Sequence, residues 1–339
     1  MRTVTVTASG VVEVIQVPDP TLPDAGSAIV QVEAAAICGS DLHFYEGDLP
    51  YFPVAVGHEA IGRVVEVGAD VRRFAVGDRV LVSSVAGCGD CVGCQTRDPV
   101  ACLAGAKVFG AGELGGAQSD LLAVPAADFQ LLTIPEGISD DAALLLTDNL
   151  GTGWAAATRT DAKPGETVVV LGLGAVGQCA VRAALALDLD VLAFDPVPGR
   201  VAMAVGSGAK AIESDVVAEV MAATGGRGAA AVIDAVGHNN TIDTAFAAVR
   251  ACGTVSVVGI HDLEPYPLGI LMGVYRSLTL RMTTAPVHRS WDELIPLITQ
   301  GRIDTEGIFT HTFALDDAAA AYAAVAERSP DCLKVKLVP

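Results

Sequence analysis

Valine alternates with polar residues at the start of the chain, at Val4 and Val6 and again at Val12 and Val14. The text from Thr3 to about Val17 therefore predicts strands, and Ala28 to Ala35 repeats the pattern. "YFPVAVGHEAIGRVVEVG" continues with valines bounded by glycines, and "FAVGDRVLV" sets a Gly-Asp turn before another strand. Up to about residue 140 the chain reads as a strand-rich domain with long loops. Near Asp148 the texture changes. Ala-rich text from Asn149 to Thr160 predicts a helix, and after the "KPGE" turn a β-branched run, Thr167 to Leu171, meets Gly172. "ALDLDVLAFD", "AAVIDAVG" and "CGTVSVVGI" are later apolar runs ending in Asp or Gly, spaced by segments of helical period, which predicts an α/β domain with a mostly parallel sheet and crossover helices. Trp291 to Thr299 then reads as helix, "TFALDDAAAAYAAVAE" as a turn followed by a helix, and "CLKVKLVP" as a closing strand. The organisation expected is a first domain over 1–147, a nucleotide-binding domain over 148–285, and a tail, 286–339, that returns to the first domain.

Length supports that division, because 339 residues exceed one comfortable core. Apolar types make up 51% of the chain and aromatic ones only 5%, so the apolar mass is Ala, Val and Leu, suited to helices packed on a buried sheet. Twenty-one Lys and Arg stand against 40 Asp and Glu, a formal net charge of -19. That balance opposes nucleic acid, where affinity rests on neutralising phosphates. No run reaches the length of a membrane span and the start lacks a basic flank with a cleavage site, so a cytoplasmic protein without a membrane partner is expected. The eight cysteines are then expected to be reduced thiols.

Two groups of residues carry candidate chemistry. The first is "GLGAVG", with Gly172, Gly174, Ala175, Val176 and Gly177 forming a G-x-G-x-x-G turn after a strand. Its first glycine permits the sharp turn, the second admits a pyrophosphate close to the backbone, and the third lets the helix pack on the sheet. Asp195 closes the next strand, where a carboxylate accepts hydrogen bonds from the adenosine ribose and repels a 2'-phosphate. NAD is thereby favoured over NADP, although Arg200, five residues on, could pair with that phosphate. A flavin or S-adenosylmethionine would use a similar turn.

The second group is metal-ligating. Cys88, Cys91, Cys94 and Cys102 form C-x2-C-x2-C-x7-C, enough thiolates to close one tetrahedral zinc site that holds a loop and activates no water. An iron-sulfur cluster and chance clustering of free thiols are the alternatives. A dispersed set consists of Cys38 in "CGSDLH", His58 and Glu59 in "VGHEAIG", and Asp148 in "LLTDN". Thiolate, imidazole and carboxylate suit zinc and leave a coordination position for a substrate oxygen.

The ordered set "CGSDLH", "VGHEAIG", "CGDCVGC", Asp148 and "GLGAVG" resembles the zinc-containing medium-chain alcohol dehydrogenase family over essentially the whole chain. The resemblance implies a GroES-like, β-rich catalytic domain, a Rossmann coenzyme domain, and two zinc ions per chain, one catalytic and one structural. It implies Cys38, His58 and Asp148 as ligands of the catalytic zinc, with Glu59 beside it as an occasional or alternate ligand. Asp148 departs from the better-known members, which carry cysteine there, and looks like the arrangement in bacterial secondary-alcohol dehydrogenases. The implied reaction is reversible hydride transfer between an alcohol carbon and the nicotinamide, the metal polarising the oxygen. Ser40 and His43 match the family's proton relay; read without the motif, Ser40 is a helix cap and His43 a surface residue. A homodimer or homotetramer paired through the coenzyme domain is implied too, with the apolar text from Gly253 to Leu280 supplying an edge strand.

Other residues are given structural readings. His238, His261, His288 and His311 stand far from the metal motifs, and Cys179, Cys252 and Cys332 read as small buried hydrophobes. Trp154 and Phe109 either line the substrate cleft or pack in a core. A quinone or enoyl reductase of the same architecture would lack the Cys38, His58 and Asp148 set, and a non-enzymatic protein would not keep both ligands and relay. The substrate expected is a neutral alcohol of modest size or its carbonyl, with a polyol or formaldehyde as the alternative.

Overall fold

The computed structural model describes residues 1–263 and 265–339. Contacts divide the chain into two units, one of 1–151 with 285–299 and 305–339, the other of 152–284 with 300–304.

The first unit begins with antiparallel strands β1 (Arg2–Ala8) and β2 (Val11–Gln16), the alternation of Val4 and Val6 turning both valines inward. β3 (Ala28–Ile37), β4 (Val54–Ala55), β5 (Glu59–Val67) and β6 (Arg79–Val82) follow. β3 and β5 pair antiparallel, β5 pairs with β6, and the short β4 adds to β1. Because Ala36 pairs with Glu59 in that register, the loop after β3 that carries Cys38 and the residues just before β5 lie side by side. β7 (Val85–Ala86) and β8 (Lys107–Val108) bracket the cysteine-rich loop, and β9 (Leu121–Val124) and β10 (Leu131–Thr133) extend the main sheet. Two apolar clusters fill this unit, one around Val30, Val80, Phe109 and Leu122, the other around Val6, Ile37, Tyr322 and Leu337.

The second unit is a six-stranded parallel sheet. β11 (Thr167–Leu171), β12 (Asp190–Phe194) and β13 (Lys210–Ala211) run out in one direction. The chain then returns past β11 to lay down β14 (Ala229–Asp234), β15 (Val249–Val257) and β16 (Thr279–Met282), in the order β13-β12-β11-β14-β15-β16. This is the doubly wound arrangement expected of a coenzyme domain, and its order reverses between β11 and β14, where ligands of such sheets bind. β14 is buried at every residue, as a strand with helices on both faces must be. Cys252 departs from the expectation of a buried thiol: it is exposed, at φ 58° in the irregular start of β15, where the pairing with β14 shifts register. Cys179 and Cys332 are buried as expected.

β17 (His311–Ala314), a strand that the reading of this text as a turn passes over, pairs with the closing strand β18 (Val335–Val338). β18 in turn pairs antiparallel with β3, Val335 opposite Ile37, so the end of the chain completes the first sheet beside Cys38. Among the described residues no helix is long and apolar enough to cross a membrane.

Candidate active site

Cys38 ends the run of β3 and starts a helical turn, Gly39–Asp41, that continues as Leu42–Glu46. The Asp41 carboxylate, 2% exposed, reaches back to accept the Cys38 backbone N–H at 2.9 Å, closing a capping box in which Cys38 is the N-cap, so Ser40 is not the cap. Its other oxygen lies 3.4 Å from His58 Nδ1, and His58 Nε2 lies 3.6 Å from Asp148 Oδ2. Asp41 was not singled out by the sequence, although it sits inside "CGSDLH". A carboxylate on one imidazole nitrogen fixes the ring and leaves the other nitrogen for a metal, the usual second partner of a ligating histidine.

The support extends inward. Gln118 donates to Asp41 at 3.2 Å and to the Ala36 carbonyl at 3.1 Å, while its own oxygen accepts the Tyr322 hydroxyl at 3.0 Å. Burial, with Asp41 nearby, holds the Tyr322 phenol well above its ordinary pKa, so it remains a donor. Gln118 also explains the glycine ahead of His58: Gly57 has φ +95°, and a Cβ there would meet the Gln118 side chain at 2.4 Å.

Donor atoms of Cys38, His58 and Glu59 lie within 4.8 Å of one another. Glu59 is fully buried and accepts two hydrogen bonds on one oxygen, from Lys334 Nζ at 2.7 Å and Asn149 Nδ2 at 3.0 Å. Burial alone would lower the Lys334 pKa, but Glu59, Cys38 and Asp148 raise it overall. His58 behaves likewise, burial opposing its charge while Asp41 and Cys38 raise its pKa well above the ordinary value. A pocket of anionic donors that attracts positive charge this strongly, and offers sulfur, nitrogen and oxygen, fits a zinc ion.

The four thiols of the second group fit as well. Zinc at about 2.3 Å from each of four sulfurs sets them roughly 3.8 Å apart. Cys88 and Cys94 are 3.9 Å apart, as are Cys91 and Cys102. Backbone N–H groups of Cys94 and Leu103 draw the Cys91 thiol down to about 6, whereas burial pushes Cys94 up to about 12. The Cys102 sulfur accepts the Cys88 N–H at 3.3 Å. Amides aimed at sulfur prepare thiolates for a cation.

His43, one helical turn beyond Ser40, holds its Nδ1 3.0 Å from the Asp48 carboxylate, which makes Nε2 the basic nitrogen. In the second unit, Gly174 is the N-cap of the helix Ala175–Ala186, and a Cβ on Gly177 would strike the Gly172 carbonyl at 1.8 Å, so helix and turn meet only through glycine. Among the described residues, no atom beyond its own chain neighbours stands within 4 Å of a Cβ built at Gly174, which leaves that backbone open to a phosphate. Asp195 accepts the Leu173 N–H at 2.7 Å and the Val197 N–H at 2.8 Å, and Arg200 Nη1 stands 3.9 Å away.

Comparison with known proteins matches residues 24–136 to the alcohol dehydrogenase GroES-like domain and 175–300 to the zinc-binding dehydrogenase domain. A probable zinc-binding alcohol dehydrogenase of Mycobacterium tuberculosis is 57% identical over all of this chain and 89% of its own length. The chain belongs to the zinc-containing medium-chain alcohol dehydrogenase family. Among solved structures, the alcohol dehydrogenase of Thermus sp. ATN1 is 33% identical with a TM-score of 0.93, covering 100% of this chain and 99% of that one. An Escherichia coli alcohol dehydrogenase complexed with NADH is 28% identical with a TM-score of 0.89, over 100% and 99%. The present chain is thus an oxidoreductase acting on a small molecule with zinc and a nicotinamide coenzyme.

The remaining histidines of this dehydrogenase keep to structural places. His238 caps the helix Asn239–Ala248 by accepting the Asn240 N–H on Nδ1, which commits Nε2 to a proton facing Asp262; His261 bonds the same carboxylate at 3.0 Å. The three lie close enough to hold an ion, but that tautomer turns an N–H, not a lone pair, inward. Phe109 is 1% exposed and Trp154 is 7%, and Phe109 packs within the first apolar cluster.

Proposed function

We propose that this enzyme interconverts a neutral alcohol of modest size and its aldehyde or ketone with NAD, using two zinc ions per chain. The observation that supports the reading is His58 itself: Asp41 orients its Nδ1, Asp148 Oδ2 lies 3.6 Å from its Nε2, and donor atoms of Cys38 and Glu59 lie within 4.8 Å of it. Cys38, His58 and Asp148 would hold the catalytic zinc, which supplies Lewis acidity toward the substrate oxygen. Cys88, Cys91, Cys94 and Cys102 would hold the structural ion. The coenzyme, taken at Gly172, Gly174 and Gly177 with its ribose at Asp195, supplies the hydride acceptor.

Ser40 and His43 move the proton. The serine hydroxyl accepts it at the substrate end and passes it toward His43, whose basic Nε2 is set by the bond from Nδ1 to Asp48. A hollow of about 490 Å³ lined by Tyr51, Phe52, Pro53 and Val54, with Ala111 to Glu113 opposite, opens on the segment that runs into His58. Its lining mixes apolar side chains with the Tyr51 hydroxyl and the Glu113 carboxylate, which offers an uncharged alcohol both packing and hydrogen bonds. None of the eight cysteines is in a disulfide, which agrees with a cytoplasmic enzyme.

The test is an alcohol and carbonyl panel with NAD and NADP on metal-quantified protein. Two zinc equivalents and NAD-linked oxidation of neutral alcohols are expected. Full activity with a single equivalent, or fully loaded protein that oxidises no member of the panel, overturns the reading.

A further inference from the structure

Lys334 is a buried ammonium just ahead of β18, and its side chain is 2% exposed. Its Nζ donates to Glu59 at 2.7 Å and to the Ile37 carbonyl at 3.2 Å, and the same Glu59 oxygen takes Asn149 Nδ2 at 3.0 Å. Ile37 precedes Cys38, Glu59 follows His58, and Asn149 follows Asp148. One ammonium, one carboxylate and one amide thus bind the chain neighbour of each proposed zinc ligand into a single node. The neighbouring chain pins Lys334 in place: its carbonyl accepts Thr310 N at 3.0 Å, and Val335 sits in register with Ile37.

Two carboxylates compete for the third ligand position. Asp148 Oδ2 lies 3.6 Å from His58 Nε2, and an oxygen of Glu59 lies within 4.8 Å of both the Cys38 and His58 donors. Glu59 Oε2 is buried without a hydrogen-bond partner among the described residues. A buried carboxylate oxygen that lacks a hydrogen-bond partner would turn to a divalent ion beside it unless the group were anchored by its other oxygen, because leaving a buried acceptor unsatisfied is costly. We propose that Lys334 is the positioning residue that selects the ligand set, holding Glu59 by its Oε1 so that Asp148 ligates the metal and Glu59 stays off it.

This rests on the assignment of the Cys38, His58 and Asp148 metal site, and cobalt(II) exchanged into that site, with zinc kept on the four cysteines, tests each separately. Parent protein should show a thiolate-to-cobalt absorption that Cys38→Ser abolishes; its absence defeats the site itself, whatever Lys334 does. Given that band, Lys334→Met, similar in volume and uncharged, should shift the cobalt d–d bands toward a higher coordination number as Glu59 joins the metal. Adding Glu59→Gln to it should restore the parent spectrum. An unshifted Lys334→Met spectrum, or a shift that survives in the double variant, overturns the proposal. Should Lys334→Met fail to fold, Glu59→Gln alone decides: a parent spectrum supports the proposal, and an altered one shows that Glu59 ligates while Lys334 is present.

Discussion

A carboxylate directly ahead of a helix can serve the helix or a metal, and at Asp148 the two roles respond differently to asparagine. Asp148 precedes the helix Asn149–Thr158 and lies 3.6 Å from His58 Nε2. As a cap, asparagine equals aspartate, and even complete loss of a cap costs only about 0.5 to 2 kcal/mol. As a ligand, the neutral amide is much poorer. Asp148→Asn is expected to melt close to the parent temperature, to lose most activity, and to give up about one equivalent of zinc to a mild chelator. Full activity with both ions tightly held would remove Asp148 from the site. At Asp195 the contest is between charges: the carboxylate repels a 2'-phosphate, and Arg200, whose Nε has no hydrogen-bond partner among the described residues, attracts one. Both Asp195 oxygens accept backbone N–H groups, one from the glycine-rich turn, so the negative charge is fixed where the ribose is expected. Steady-state kinetics should favour NAD over NADP in kcat/KM, and Asp195→Ala should narrow the gap. A parent that prefers NADP would show that Arg200 prevails.

Elements differ in how far the sequence announces them. The β-branched run of β11 stands over Thr167 to Leu171 in both text and structure, because a strand covered on both faces needs uninterrupted apolar residues and a glycine must follow at the tight turn. The polar network around His58 was not legible in the same way. Asp41 and Gln118 stand 77 residues apart and meet because the Gln118 backbone is bonded to Val4 and Val56, and Glu59 and Lys334 stand 275 apart and meet through the registers of β3 with β5 and β18. Periodicity reports which face a residue takes, not which distant polar group it meets. The helix Val287–Thr299 gives a further case, because the sequence leaves His288 structural or exposed and the fold makes it 2% exposed, stacked on Phe129 at 4.4 Å and beside Trp291 at 4.7 Å. Burial, aided by the charge of Arg97, pushes its pKa down to about 3. Above the ordinary value of about 6.5 both folded and unfolded forms are neutral there and the shift contributes nothing. Below it the unfolded chain takes up a proton that the native ring refuses, so stability falls as pH drops from about 6.5 toward 3. Denaturant melts of His288→Phe against the parent should agree in pH dependence above pH 7. They should diverge in the variant's favour by about 2 kcal/mol at pH 5, the product of about 1.5 pH units and about 1.36 kcal/mol each. Parallel curves through that range would mean that the native ring protonates freely.

At the scale of the whole molecule, a run of exposed apolar side chains lies at the outer edge of the parallel sheet. β16 is the last strand there, and Ile270, Leu271, Met272, Val274, Tyr275 and Met282 just before or within it are each more than half exposed. A cavity of about 630 Å³, lined by Phe246, Tyr266, Leu268, Ile270 and Val274 among others, opens in the same region. Exposed edges and apolar patches of this kind are what a closed two-fold interface covers. Charge points to the same face. In a chain of net charge -19, the stretch from Leu268 to Met282 has no Asp or Glu and carries Arg276 and Arg281, so two copies pairing here would bring few like charges together. Each large side chain fully buried adds about 1.5 to 3 kcal/mol, and a stable interface of roughly 1,200 to 2,000 Å² needs only a few of them at its centre. Sedimentation at micromolar concentration should therefore give a dimer or tetramer. Tyr275→Glu, which places a carboxylate in the middle of the patch, should shift the distribution toward smaller species while leaving the zinc content unchanged. Added salt should tighten the parent's association by screening the remaining like charge, since the attraction is apolar and the opposition electrostatic. A parent that sediments only as a monomer would leave this edge without a second copy, and a Tyr275→Glu protein that assembles as the parent does would place the interface elsewhere on the molecule.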